Sequence, residues 1–162
     1  MSVDKYRPHI LVLPEDQANF DIAHGFMLYQ LHDPRAIDVL PPAGGWSHVR
    51  DEFAQTHITE MRRHSQRHMI LMVDFDGHGD RLNLVKEVIP ADLADRVFVV
   101  GVWSEPEALR AATGCSLEKL GSKLALECRD GSRAVWNHEL LGHNAPEVTR
   151  MTARLRPFLF PN

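Results

Sequence analysis

Cysteine is scarce in this chain and never closely spaced. Cys115 and Cys128 are the only two, with no CxxC pair, which excludes a disulfide framework or a thiolate zinc site and fits a reducing compartment. Long hydrophobic runs are also missing: none approaches the roughly 18–20 residues that span a bilayer, so no membrane partner is expected. The opening MSVDKYRPH is polar and lacks the apolar stretch of a secretion signal, which makes cytoplasm the expected location. Nor is there an excess of positive charge. The 18 Lys and Arg face 22 Asp and Glu for a net −4, so the molecule as a whole does not advertise itself as a nucleic-acid binder. Repeats, low-complexity tracts and linker-like boundaries are absent, and 162 residues suit a single domain with a sizeable core.

What the chain does have is alternation. HILVL (9–13) has strand length and ends at Pro14-Glu15-Asp16, where Asp16 can cap a helix over 17–31. AIDVLP (36–41) alternates like a strand, and PPAGGW (41–46) turns into a helix expected from a Ser47 cap to about 65, with Val49, Phe53, Ile58 and Met61 apolar. HMILMVDF (68–75) and DRVFVVGVW (95–103) are continuous apolar runs of the kind found in strands covered on both faces. RLNLVKEVI (81–89) reads as a short helix between them. Ser104 with Glu107 suggests a capping box for a helix over 105–112, and Ser116 caps another over 116–130. Asn144 starts a last helix whose stripe is Val148, Met151, Leu155 and Phe158. This order predicts an α/β fold: an open, mostly parallel sheet of about four strands, Rossmann-like, with helices on both faces and extra C-terminal helices.

Three of these strands end in acids: Glu15 and Asp16 after the first, Asp74 and Asp76 after the third, Glu105 and Glu107 after the fourth. In open α/β sheets ligands gather outside the carboxyl ends of the strands. In an extended chain residues 74 and 76 share a side, so both carboxylates can converge on one cation with Glu15 from a neighbouring strand. Oxygen ligands without Cys or clustered His suit Mg²⁺ or Mn²⁺. The plain alternative is an Asx turn, in which the aspartates of DFDG cap backbone N–H groups.

A glutamate after the first strand and an apolar strand ending in DxD, joined in βαβ order, resemble the TOPRIM domain of topoisomerases, primases, OLD-family nucleases and small ribonucleases. The resemblance covers about residues 9–107, with 108–162 as a helical extension. It implies that Glu15 serves as general acid/base or metal ligand, that Asp74 and Asp76 bind Mg²⁺, that Glu105 or Glu107 fills the place of the further acid that follows the next strand in OLD-like members, with Glu105 the candidate metal ligand, and that the protein cleaves phosphodiesters in DNA or RNA. By analogy with the OLD family, it would work in a multi-protein assembly such as a phage-defence system. The chain departs from the pattern at Asp16, where the TOPRIM glutamate is usually followed by glycine. A non-catalytic TOPRIM-like scaffold or regulatory module is the alternative. VDFDG also resembles the first motif of HAD phosphatases, but that motif usually sits on the first strand.

Further candidates for substrate binding are Asp16, His78, Arg81 and Lys86 near the acids, and His138 and His143 in AVWNHELLGHNAPEVTR (134–150). The backbone N–H groups of PPAGGW offer an anion cradle or a plain turn. EMRRHSQRH (60–68) and TRMTARLR (149–156) are locally basic and are expected to be solvated helix faces. The terminal RPFLFPN docks on the domain or, through Phe158 and Phe160, joins a homodimer.

Overall fold

A computed structural model describes residues 2–29 and 33–161. Four strands, β1 (His9–Pro14), β2 (Ile37–Val39), β3 (Arg67–Met72) and β4 (Val97–Val100), form one all-parallel sheet in the order β2-β1-β3-β4. β1 lies in the interior, with Ile10 opposite both Ile37 and His68, and β3 pairs onward to β4 through Met69 and Val97. Parallel strands covered on both sides read as continuous apolar runs because neither face meets water. Alternate residues divide accordingly. Ile10, Val12, Ile70 and Val100 enter one core with helices α1 (Gln17–Leu28), α5 (Pro106–Thr113), α6 (Leu117–Asp130) and α7 (Ala145–Leu159). Leu11, Leu13, Leu71 and Val99 enter the other with α2 (Trp46–Glu52), α3 (Ile58–Arg63) and α4 (Arg81–Lys86). Among the described residues, no helix is long and apolar enough to cross a membrane.

This topology has a consequence for ligands. The connection leaving β1 covers one face through α1, and the connection entering β3 covers the other through α2 and α3. The direction of winding therefore reverses between β1 and β3, and a crevice opens at their carboxyl ends.

Local chemistry explains most boundaries. Asp16 caps α1 by accepting from the Asn19 N–H at 3.0 Å, and Ser116 caps α6 by accepting from Lys119 N–H at 3.2 Å. Helix α1 is described to Leu28; residues 30 and 31 of the expected span lie outside the described residues. The helix expected from Ser47 begins one residue earlier, with Gly45 at the cap and no side-chain bond there. It also contains a π turn, Phe53–His57, between α2 and α3. Val49, Phe53, His57 and Met61 are all buried at intervals of four. Each such interval overshoots an α-helical face by about 40°, and the wider π turn brings the stripe back onto the sheet.

Two expected caps are different. Ser104 does not close a capping box: Glu105 occupies the cap position of α5 without a side-chain bond, and the Ser104 hydroxyl is buried without a partner. Asn144 precedes α7 but turns inward, accepting from Gly101 N–H at 3.1 Å and donating to Gly101 O at 2.9 Å. Glu147 accepts from Val99 N–H at 3.0 Å. Two side chains thus take the place of a fifth strand along the free edge of β4, an edge that would otherwise invite pairing with other chains. The C-terminal aromatics dock on their own domain: Phe160 is buried against Phe26 and Tyr29, and Phe158 packs on His68.

Candidate acidic site at the switch point

β1 delivers Glu15 to the crevice, and Glu15 N–H still donates to Met72 O at 2.9 Å, so the two strand ends stay in register. The PPAGGW loop folds over this end. Gly44 N–H and Gly45 N–H donate to Glu15 O, at 2.9 and 3.2 Å, and Ala43 N–H donates to Pro14 O. Those amides are spent on the loop, which is therefore a turn rather than an anion cradle.

Across the crevice β3 ends and the chain runs through Val73 into Asp74. Gly101 permits this approach from β4: a Cβ there would lie 1.7 Å from Val73 O. Asp74 is 6% exposed, and its Oδ1 accepts from Asn19 Nδ2 at 2.9 Å. The same Asn19 amide donates to Asp16 Oδ1 at 2.9 Å, linking the acids of the two strand ends. Asp74 N–H donates to Glu15 Oε2. Asp76, by contrast, has a left-handed backbone (φ 49°) and an exposed side chain. The expected period-two alternation stops before it, because left-handed geometry turns the chain out of the strand direction. Its Oδ2 pairs with Arg81 Nη1 at 2.8 Å; the same Nη1 donates to Asp74 O at 2.6 Å, and the guanidinium lies 4.9 Å over the Trp46 ring.

Four carboxylates and one guanidinium leave the crevice strongly acidic. Burial pushes the Asp74 carboxyl up to about 8; the Asn19 bond opposes this, and the charges of Glu15, Asp16 and Asp76 add to it. Burial also raises Glu15, against the opposing Asp74 N–H bond. One oxygen of each of Asp74, Glu15 and Asp76 is bonded, and the other makes no hydrogen bond among the described residues. As the side chains stand, however, no group of three or more Asp, Glu, His or Cys is arranged to hold a metal ion among the described residues.

The remaining candidates divide. Arg81 stands at the site. Asp16 contributes charge there, but its carboxylate caps α1. Glu105 is exposed at the head of α5, and its side chain makes no hydrogen bond. His78 is exposed in the loop after Asp76 and makes no side-chain bond. Lys86 is elsewhere: Nζ pairs with Glu147, a buried carboxylate that needs a counter-charge more than the open crevice does. His138 is turned into its own loop, where Nδ1 accepts from Leu140 N–H at 3.1 Å. His143 packs edge-on against Phe75 at 4.7 Å and lies 5.4 Å from Trp103. Its ring nitrogens are buried; burial lowers its pKa, and the nearby Gly101 backbone opposes this.

Asn19 and Trp46 were not legible as site residues in the sequence. Asn19 carries one usable signal, a polar residue three positions after a capping Asp on the buried side of α1. Trp46 carries none, because its role depends on Arg81 arriving from another element. No protein-family model, curated protein or solved structure matches this chain.

Proposed function

We propose that the switch-point crevice binds Mg²⁺ or Mn²⁺ and that the protein processes phosphodiesters in nucleic acid, in the manner expected of a TOPRIM-like nuclease. The observation that carries this reading is Asp74: a buried carboxyl with its pKa pushed up to about 8, near the charges of three more acids and bonded through its carbonyl to Arg81. Such a cluster is costly to leave uncompensated, and a divalent cation is the charge it lacks. Asp74, Glu15 and Asp76 each keep an unbonded oxygen, a hard donor set suited to these ions. The cation would neutralise charge on a phosphate and lower the pKa of a bound water. Arg81, spread over Trp46, supplies a fixed positive charge for a phosphate oxygen.

A second reading is a non-catalytic TOPRIM-like module acting as scaffold or regulator. The Glu15 bond to Asp74 N–H and the Asp76–Arg81 pair favour it, since both acids serve backbone and neighbour rather than a shared ion. Incubation with single- and double-stranded DNA and RNA, with Mn²⁺ or with chelator, separates the two. The nuclease reading expects cleavage that needs the metal and disappears in Asp74→Asn. Metal-independent cleavage, or activity that survives the substitution, would sink it, and no cleavage of any substrate leaves the module.

A further inference from the structure

EMRRHSQRH (60–68) and TRMTARLR (149–156) are far apart in the chain, yet the fold brings them together. They meet at the amino-terminal end of the sheet, the end away from the acidic crevice, around a cleft of about 370 Å³. His68, Arg96, Arg154 and Phe158 line it. Arg96 is fixed in place by the carbonyls of Met61, His64 and Arg67, which its guanidinium meets at 2.7–3.2 Å. Among the described residues, Arg154 bonds through Nε alone, to Asp95 O at 3.3 Å, and its two Nη groups make no hydrogen bond. His68 is 7% exposed, and its Nδ1 lies 3.2 Å from His9 O and 3.1 Å from Gln66 O. A ring nitrogen facing two carbonyls carries the proton, so Nε2, which makes no hydrogen bond, is the free position.

Among the described residues, no carboxylate lines this cleft. Of the acids nearby, Asp92 pairs with Arg62 at 3.0 Å, Glu60 pairs with Arg63 and His64, and Asp33, on the adjoining cleft that shares Pro8 and Phe158, accepts from Arg35 N–H at 2.9 Å. Asp95 faces the neighbouring cleft with Lys86 and Arg150. Positive charge from α7 and from the approach to β4 therefore converges on one buried histidine without neutralisation. We propose that this cleft binds a phosphate group, on a free nucleotide or at the 5′ end of a nucleic-acid strand, through Arg154, Arg96 and His68. Donors from three different elements suit a tetrahedral dianion better than a planar carboxylate, and Phe158, whose ring lies 5.2 Å from that of His68 and is tilted to it by 36°, offers a surface to the attached base.

Proton bookkeeping supplies a signature. Burial lowers the His68 pKa, the His9 and Gln66 carbonyls oppose this, and Arg154 and Arg96 push it down further. A phosphate placed between the two guanidiniums reverses their effect, so Nε2 takes up a proton and binding tightens as pH falls.

The test is calorimetric titration of the full chain with AMP, inorganic phosphate, and an oligonucleotide with and without a 5′ phosphate, in two buffers of different ionisation heat. Expected are binding with proton uptake, weakening by about tenfold or more in Arg154→Gln, and no change in Arg110→Gln on the exposed face of α5. His68→Gln should abolish the proton uptake. The tighter of AMP and the phosphorylated strand names the source of the phosphate. Absence of binding by all phosphorylated probes, wild-type affinity in Arg154→Gln, or equal binding of the unphosphorylated strand would overturn the assignment.

Discussion

Replacing Asp74 with asparagine keeps the shape of the side chain and removes its charge, and the effect on stability follows from where that charge sits. The carboxyl titrates at about 8 in the folded chain against an ordinary 3.8. Below the lower value both folded and unfolded chains hold the proton, so the group contributes no difference. Between the two values the unfolded chain ionises while the folded one stays protonated, and the folded state loses about 1.4 kcal/mol per pH unit. Above the folded value the loss levels off, at no more than about 6 kcal/mol. Burial is the main cause, and water reaching the crevice lessens its cost while also screening the repulsion from exposed Asp76 and half-buried Glu15 and Asp16, which brings the expected loss to roughly 2–4 kcal/mol. Asp74→Asn removes it, because the Asn19 amide can still donate to the new carbonyl oxygen. Urea unfolding in chelator should therefore find the variant equal to wild type near pH 4 and more stable by that amount near pH 8. A variant that is less stable near pH 8, or a difference that does not grow with pH, would refute the reasoning.

Three further outcomes concern the frame around the site. Gly121→Ala should destabilise by about 2–4 kcal/mol in denaturant titration, because its Cβ would lie 1.9 Å from Ile22 O and force α1 and α6 apart. Asn144→Ala removes three buried hydrogen bonds, to Gly101 N, Gly101 O and Leu141 O, and should cost about 2–3 kcal/mol, with faster amide exchange at Gly101. Lys86→Ala should lower stability by about 1 kcal/mol through Glu147 and leave any metal-dependent cleavage unchanged, whereas Arg81→Ala should reduce cleavage.

How much of this was legible in the sequence depended on whether the cause was local. Continuous apolar runs announced the buried strands, and Asp16 and Ser116 announced their helices, because capping and burial on both faces leave their mark within a few residues. The acids at the strand ends were visible for the same reason. Strand order was not, since the pairing of β1 with both β2 and β3 is decided by long-range packing; the expectation that Glu15 and Asp74 meet rested on the acids ending neighbouring strands, without the order that brings them together. Asn144 does stand at the start of α7, but its side chain, like those of Lys86 and Ser104, was assigned to the adjoining helix or to the nearest acids because only the neighbouring sequence was visible. Lys86 and Asn144 instead answer demands from β4 and α7 that only the folded chain creates. The basic stretches were read singly as solvated faces; their convergence on His68 depends on α7 crossing the foot of the sheet.

Titration of the protein with Mn²⁺ near neutral pH tests the central claim most directly. Asp74 holds its proton there, so a cation that binds in the crevice must displace it. The account predicts binding accompanied by proton release, with both the release and most of the affinity lost in Asp74→Asn. No binding by wild type, or equal binding by the variant, would contradict it.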